Sequence, residues 1–122
     1  VIFPGYISGM RKAVLLQATW IFAMPSIKET FSIACLEANA YGVPCVAYRI
    51  SGLETLIDGV NAVLVQPGDI EGLGKAIISL IGDEKKRENL AAKAKQLASR
   101  FDWGVTAQRI LEVLRCKSGK WD

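Results

Sequence analysis

Two carboxylates stand eight positions apart in PSIKETFSIACLEANAYGVPCVAY, residues 25–48, at Glu29 and Glu37. Glu29 lies in a loop that follows an apolar run, and Glu37 lies within a segment built mostly of small apolar residues. A helix over 32–41, with Ser32 as N-cap and Gly42 just past its end, puts Ile33, Leu36, Glu37 and Ala40 on one face. A carboxylate on a buried face is costly unless something hydrogen-bonds to it. Either Glu37 meets a lysine or the backbone amides of a neighbouring loop, or it receives the hydroxyls of a ligand. The helix start favours a ligand. Free amides of Phe31, Ser32 and Ile33, reinforced by the helix dipole, form a site for phosphate. Glu37 lies about 7.5 Å along the axis from Ser32, and Glu29 lies on the other side of the same amides. Carboxylates accept from vicinal hydroxyls, and amides donate to phosphate oxygens. A ligand with a diphosphate in the middle, ribose at one end and a sugar at the other matches that layout.

Other chemistry fits less well. Two glutamates could serve as acid and base in glycoside hydrolysis, but they must then flank a glycosidic bond. A carboxylate within a helix beside phosphate-binding amides is poorly placed for that. A receiver-like α/β module needs aspartates at its strand ends, and Met24-Pro25-Ser26 and Tyr48-Arg49 offer none. The chain has no histidine, which excludes a Ser-His-Asp triad, a Cys-His pair and any histidine metal site. It has no D-x-D pair to hold a metal-bound diphosphate. Cys35, Cys45 and Cys116 form no C-x-x-C pair and read as structural thiols of a reducing compartment. The formal net charge of +3 is too small to argue for nucleic acid. The basic residues between Asp83 and Arg100 read as a solvated helix face, with contact to a membrane surface as the lesser expectation. The longest apolar run, AVLLQATWIFAMP, is too short to span a bilayer.

The elements that must position the glutamates alternate along the chain. With 122 residues, 51% of them hydrophobic, the chain suits a single domain over 1–122. VIF, WIFAM, VPCVAY and AVLV read as strands, and their lack of apolar–polar alternation indicates cover on both faces. RKAVLLQA, led by Ser8 or Gly9, reads as a helix between the first two. Asp69 caps a helix with Leu73, Ile77 and Leu80 on one stripe, and Gly82 stops it. Asp83 opens the next, with Leu90, Ala94 and Leu97 inward. Phe101-Asp102-Trp103 breaks it, and a last helix carries Ile110, Val113 and Leu114. Trp20, Trp103 and the apolar positions of these helices read as core, and CKSGKWD as a frayed end. The fold class is α/β: a Rossmann-like parallel sheet with helices on both faces and a helical final third.

PSIKETFSIACLEANAYGVPCVA resembles the E-x7-E signature of retaining GT-B glycosyltransferases of family 4. ISGLETLIDGVNAVLVQPGD and the FDW before the last helix are similar to the same family, so the resemblance runs from Val1 to about Leu114. It implies the latter part of a C-terminal, donor-binding domain. Glu29 would be catalytic, beside the donor sugar near its anomeric carbon, and Glu37 would hold the ribose. Amides of Thr30, Phe31, Ser32 and Ile33 would touch sugar and diphosphate. Gly5-Tyr6-Ile7-Ser8 is similar to the base-contacting loop, with Ile7 as the contact. The donor would be a nucleotide sugar, with no cofactor or metal. The acceptor, a glycan or glycolipid, would bind through an N-terminal domain upstream of Val1, where the basic pair that neutralises the diphosphate also belongs. The setting would be cytoplasmic, at the inner face of a membrane where peripheral contact occurs. In a sheet of order 3-2-1-4-5-6, VIF would be the third strand and WIFAM the fourth, with two absent strands between them. Thr30 and Ser32 replace usual glycines, implying a narrower or more polar sugar pocket, and Ala62 replaces one after Asn61. Lys28 and Arg49 read as solvated loop charges. By itself the chain is expected to be inactive. The competing class is a non-catalytic nucleotide- or sugar-binding α/β module.

Overall fold

The computed structural model describes residues 1–118; the side chains of 116–118 and all of 119–122 lie outside the description, and with them most of CKSGKWD. Strands β1 (Phe22–Met24), β2 (Cys45–Tyr48) and β3 (Ala62–Val65) form a parallel sheet in the order β1-β2-β3. Their register aligns Phe22 with Cys45 and Cys45 with Ala62. Helix α1 (Gly9–Gln17) precedes β1, and α2 (Ile33–Ala40) joins β1 to β2. Helices α3 (Ile70–Gly82), α4 (Glu84–Ala98) and α5 (Trp103–Ser118) follow the sheet.

The central strand explains the layers. All four residues of β2 are buried, as expected of a parallel strand with both faces covered. Cys45 and Ala47 pack with Leu16 of α1, Cys35 and Ala38 of α2, and Leu53 and Leu56 of the following loop. Val46 points to the other face, against Leu80 of α3 and Leu90 of α4, with Leu73 and Ile77 beside them. Cys35 and Cys45 are free and buried. The Cys35 thiol beside it, and burial itself, push the Cys45 thiol well above its usual range.

The predicted helix starts hold at the level of single hydrogen bonds. Ser32 Oγ accepts from the Cys35 amide at 3.3 Å. Asp69 Oδ1 accepts from Gly72 at 2.8 Å, and Asp83 Oδ1 from Lys86 at 2.9 Å. Each cap answers one of the donors that a helix start leaves unpaired. Helix α2 ends with Gly42 N–H donating to Asn39 C=O and Val43 N–H to Ala38 C=O, both at 2.9 Å.

Three expectations are corrected. VIF forms no strand, and Val1, Ile2 and Phe3 are exposed. A short run with no neighbouring strand has nothing to satisfy its ladder of amides and carbonyls. The remaining strands keep the relative order expected for the fourth, fifth and sixth. Trp103 is 87% exposed and Trp20 61% exposed, so neither is core. The apolar residues Ile110, Val113 and Leu114 of α5 are also exposed, because the described residues place no element over that face. Finally, the α4 basic face is not uniformly solvated. Arg87 stacks over the Trp20 ring at 4.4 Å and donates to Leu80 C=O at 2.8 Å.

Candidate functional site

The buried face of α2 is the one opposite to that expected. Cys35, Ala38 and Asn39 enter the core, while Ile33 and Ala40 are exposed and Leu36 and Glu37 half-buried. Both faces are apolar, so periodicity could not choose between them. Small side chains on the Cys35–Ala38 side let the helix approach the sheet closely, and packing density settles the matter. Glu37 therefore carries no core desolvation cost. Lys12 Nζ of α1 donates to Glu37 Oε1 at 2.6 Å, and both side chains are 41% exposed. That is the lysine partner foreseen as one of the two readings of Glu37. The pair holds the Lys12 ammonium above its ordinary pKa, chiefly through this hydrogen bond.

Glu29 is held differently. It is half-buried in the loop between β1 and α2, and Gly52 presses on its main chain. A Cβ on Gly52 would lie 2.3 Å from the Glu29 carbonyl oxygen and 2.6 Å from its carbonyl carbon. Gly52 also sits at φ +90°, a conformation that side chains rarely adopt. Glu54 braces the same turn by accepting from the Gly52 amide at 2.9 Å, a bond that lowers the Glu54 pKa.

A buried pair of asparagines fixes that loop to α2. Asn61 Nδ2 donates to Asn39 Oδ1 at 2.6 Å and to Thr55 C=O at 2.8 Å, and Asn61 Oδ1 accepts from Ile57 at 2.7 Å. Asn39 Nδ2 donates to Val43 C=O at 2.9 Å. Sequence reasoning missed Lys12, Gly52, Asn39 and Asn61. The one available signal was polar amides at two positions whose surroundings are otherwise apolar.

The amides of Thr30, Phe31, Ser32 and Ile33 make no hydrogen bond among the described residues. Thr30, Phe31 and Ile33 are exposed and Ser32 is buried. Beside them opens a cleft of about 470 Å³, lined by Phe31, Ile33 and Leu36 on one side and Phe101 and Trp103 on the other. Neither glutamate lines it. Ile7 is half-buried just before α1. Lys28 is exposed, whereas Arg49 is not a free loop charge: its Nη2 donates to Asp58 at 2.7 Å.

Comparison with known proteins decides the family. The profile described as "Glycosyl transferases group 1" matches residues 1–97. The chain belongs to the group 1 glycosyltransferases. It is 37% identical over 102 residues to D-inositol 3-phosphate glycosyltransferase of Corynebacterium urealyticum, covering 83% of this chain and 24% of that protein. It is 35% identical over 121 residues to a glycogen synthase of Mycobacterium tuberculosis, covering 97% of this chain and 29% of the relative. The chain thus spans about a quarter of the length of these curated relatives. Among solved structures, Anabaena HepE in complex with UDP-glucose superposes with a TM-score of 0.76 at 33% identity, over 84% of this chain and 29% of that one. The C-terminal domain of a glycosyl transferase group 1 family protein from Francisella tularensis gives 0.69 at 27% identity, over 80% of this chain and 51% of that one. As a group 1 glycosyltransferase segment, the chain has the expected α/β architecture of the GT-B C-terminal domain. No helix among the described residues is long and apolar enough to cross a membrane.

Proposed function

We propose that this chain supplies the donor-binding half of the active site in an enzyme that transfers a sugar from a nucleotide sugar with net retention at the anomeric carbon. One observation carries the proposal: four unspent amides at the start of α2, flanked by Glu29 and Glu37. In this reading the amides of Thr30 to Ile33 receive the diphosphate and the adjoining sugar hydroxyls. They are already aimed where negative charge grows as the diphosphate departs, so they favour the transition state over the ground state. Glu29 acts as the catalytic carboxylate beside the sugar, Glu37 accepts the ribose hydroxyls, and Ile7 meets the base. The complex of HepE with UDP-glucose supports a nucleotide sugar as the ligand class. A glycan or glycolipid acceptor would bind to sequence beyond this chain, at the cytoplasmic face of a membrane.

The test uses the intact protein. Glu37→Gln removes a charged acceptor worth about 1.5–3 kcal/mol, so affinity for the nucleoside diphosphate, found by titrating UDP, GDP, ADP and dTDP, should fall by about tenfold or more. Glu29→Gln should slow transfer while leaving that affinity close to wild type. Two variants that bind and turn over like wild type would overturn the assignment. The 122-residue chain alone should bind weakly and transfer nothing detectable, and glycosyl transfer by it would contradict the half-site reading.

A further inference from the structure

Helix α1 lies beside the site and meets it through a side chain that the proposed function leaves unused. Leu16 is its buried anchor in the core. Four residues earlier, on the same face, Lys12 reaches across to Glu37 Oε1 at 2.6 Å. Tyr6 lies in the loop that leads into α1, and Tyr41 caps the end of α2. The ion pair therefore ties α1, the helix that follows the loop expected to meet the base, to the carboxylate expected to meet the ribose.

A half-exposed glutamate without a partner samples several rotamers, and ordering it on binding costs affinity. Lys12 occupies one carboxylate oxygen and leaves the other, Oε2, open. From this geometry we infer that Lys12 is a positioning residue for ribose recognition: it pre-orients Glu37 toward the ribose hydroxyls. The inference rests on the ribose reading of Glu37 and deepens it. It makes the ribo-against-deoxyribo preference, rather than overall affinity, the property that Lys12 controls. A plain structural role would weaken both ligands together.

The experiment measures affinities of the intact protein for UDP and 2′-deoxyUDP, or for the matching ADP or GDP pair if titration selects another base. Wild type, Lys12→Met, Lys12→Arg and Glu37→Gln are compared. Lys12→Met should cut the ribo-to-deoxy ratio by roughly fivefold, and Lys12→Arg, which keeps charge and reach, should restore most of it. A ratio that Lys12→Met leaves unchanged or raises would overturn the inference; a rise would mean that the lysine competes with the ribose. The two layers fail separately. If Glu37→Gln lowers the ratio and Lys12→Met does not, Lys12 alone is misassigned. If Glu37→Gln leaves the ratio unchanged, the ribose reading falls and Lys12 falls with it.

Discussion

Glu29 is fixed through its main chain and Glu37 through its side chain, although one helix start serves both. At Glu29 the Gly52 backbone packs directly on the carbonyl group, and the loop that carries Gly52 is pinned to α2 by Asn39 and Asn61. Glu29 cannot shift without moving that loop. Glu37 stands on a helix whose opposite face is buried, but its carboxylate is half in water with one lysine as its partner. The difference follows the demands of the proposed chemistry. A reacting centre needs its groups held to within a fraction of an ångström. Nucleotide binding tolerates a side chain that adjusts.

The sharpest way to break this contrast is Gly52→Ala. The new methyl meets backbone atoms that cannot rotate aside, and φ +90° adds its own strain. Destabilisation of about 3 kcal/mol or more is expected, with loss of transfer outpacing loss of nucleotide affinity. Gly59→Ala is the internal control. It has a similar positive φ of 71° with nothing within 4 Å of the added carbon, and should cost only about 1 kcal/mol. Urea unfolding of the two variants separates contact from conformation; equal midpoints would remove Gly52 as the wedge. Next in size is Asn61→Ala, which leaves Asn39 Oδ1 and two backbone groups of the loop without their partner. About 1–3 kcal/mol should be lost, and transfer should fall with it because the Gly52 loop is released. An Asn61→Ala protein with wild-type stability would show that the loop holds itself.

Apart from VIF, the order of the elements was legible because it rests on local signals. Ser32, Asp69 and Asp83 cap helices where side-chain chemistry says they should, and the apolar runs of β2 and β3 need cover on both faces. The inward face of α2 was not legible, since Ile33 and Leu36 are as apolar as Cys35 and Ala38 and only packing against β2 tells them apart. The same limit applies to α5 and Trp103: apolar residues signal that burial is wanted, not that the covering surface lies in the same chain. The glutamates were found because a carboxylate stands out in an apolar helix. Gly52, Asn39 and Asn61 were missed because their roles depend on contacts between segments 22 or 23 positions apart, and Lys12 because α1 reaches α2 only in three dimensions.

Smaller still is the effect of Lys12→Met on the fold. Its ion pair is half-exposed, and such pairs contribute little to stability. The urea midpoint should match wild type within error even as ribose preference declines. A large drop in midpoint would mean that Lys12 holds α1 in place, and would move Glu37 toward the rigid side of the contrast.

The mildest probe concerns the brace under Gly52 and works through pH. The Gly52 amide donates to Glu54 Oε1 at 2.9 Å, and this bond lowers the Glu54 pKa below its ordinary 4.5. The lowered value means that folding favours the ionised carboxylate. Its contribution is therefore present above pH 4.5 and is lost as pH falls through the folded-state pKa beneath it. Because Glu54 is exposed, the global effect is small and the local one is what should be read. The Gly52 amide resonance should titrate with a midpoint below 4.5, and in Glu54→Gln it should not titrate at all. Transfer by Glu54→Gln should fall only slightly at neutral pH, because the Gly52 contact on Glu29 is also held by Asn61. A midpoint at or above 4.5 would show that Glu54 does not brace the turn, leaving the asparagine pair to hold the loop over Glu29.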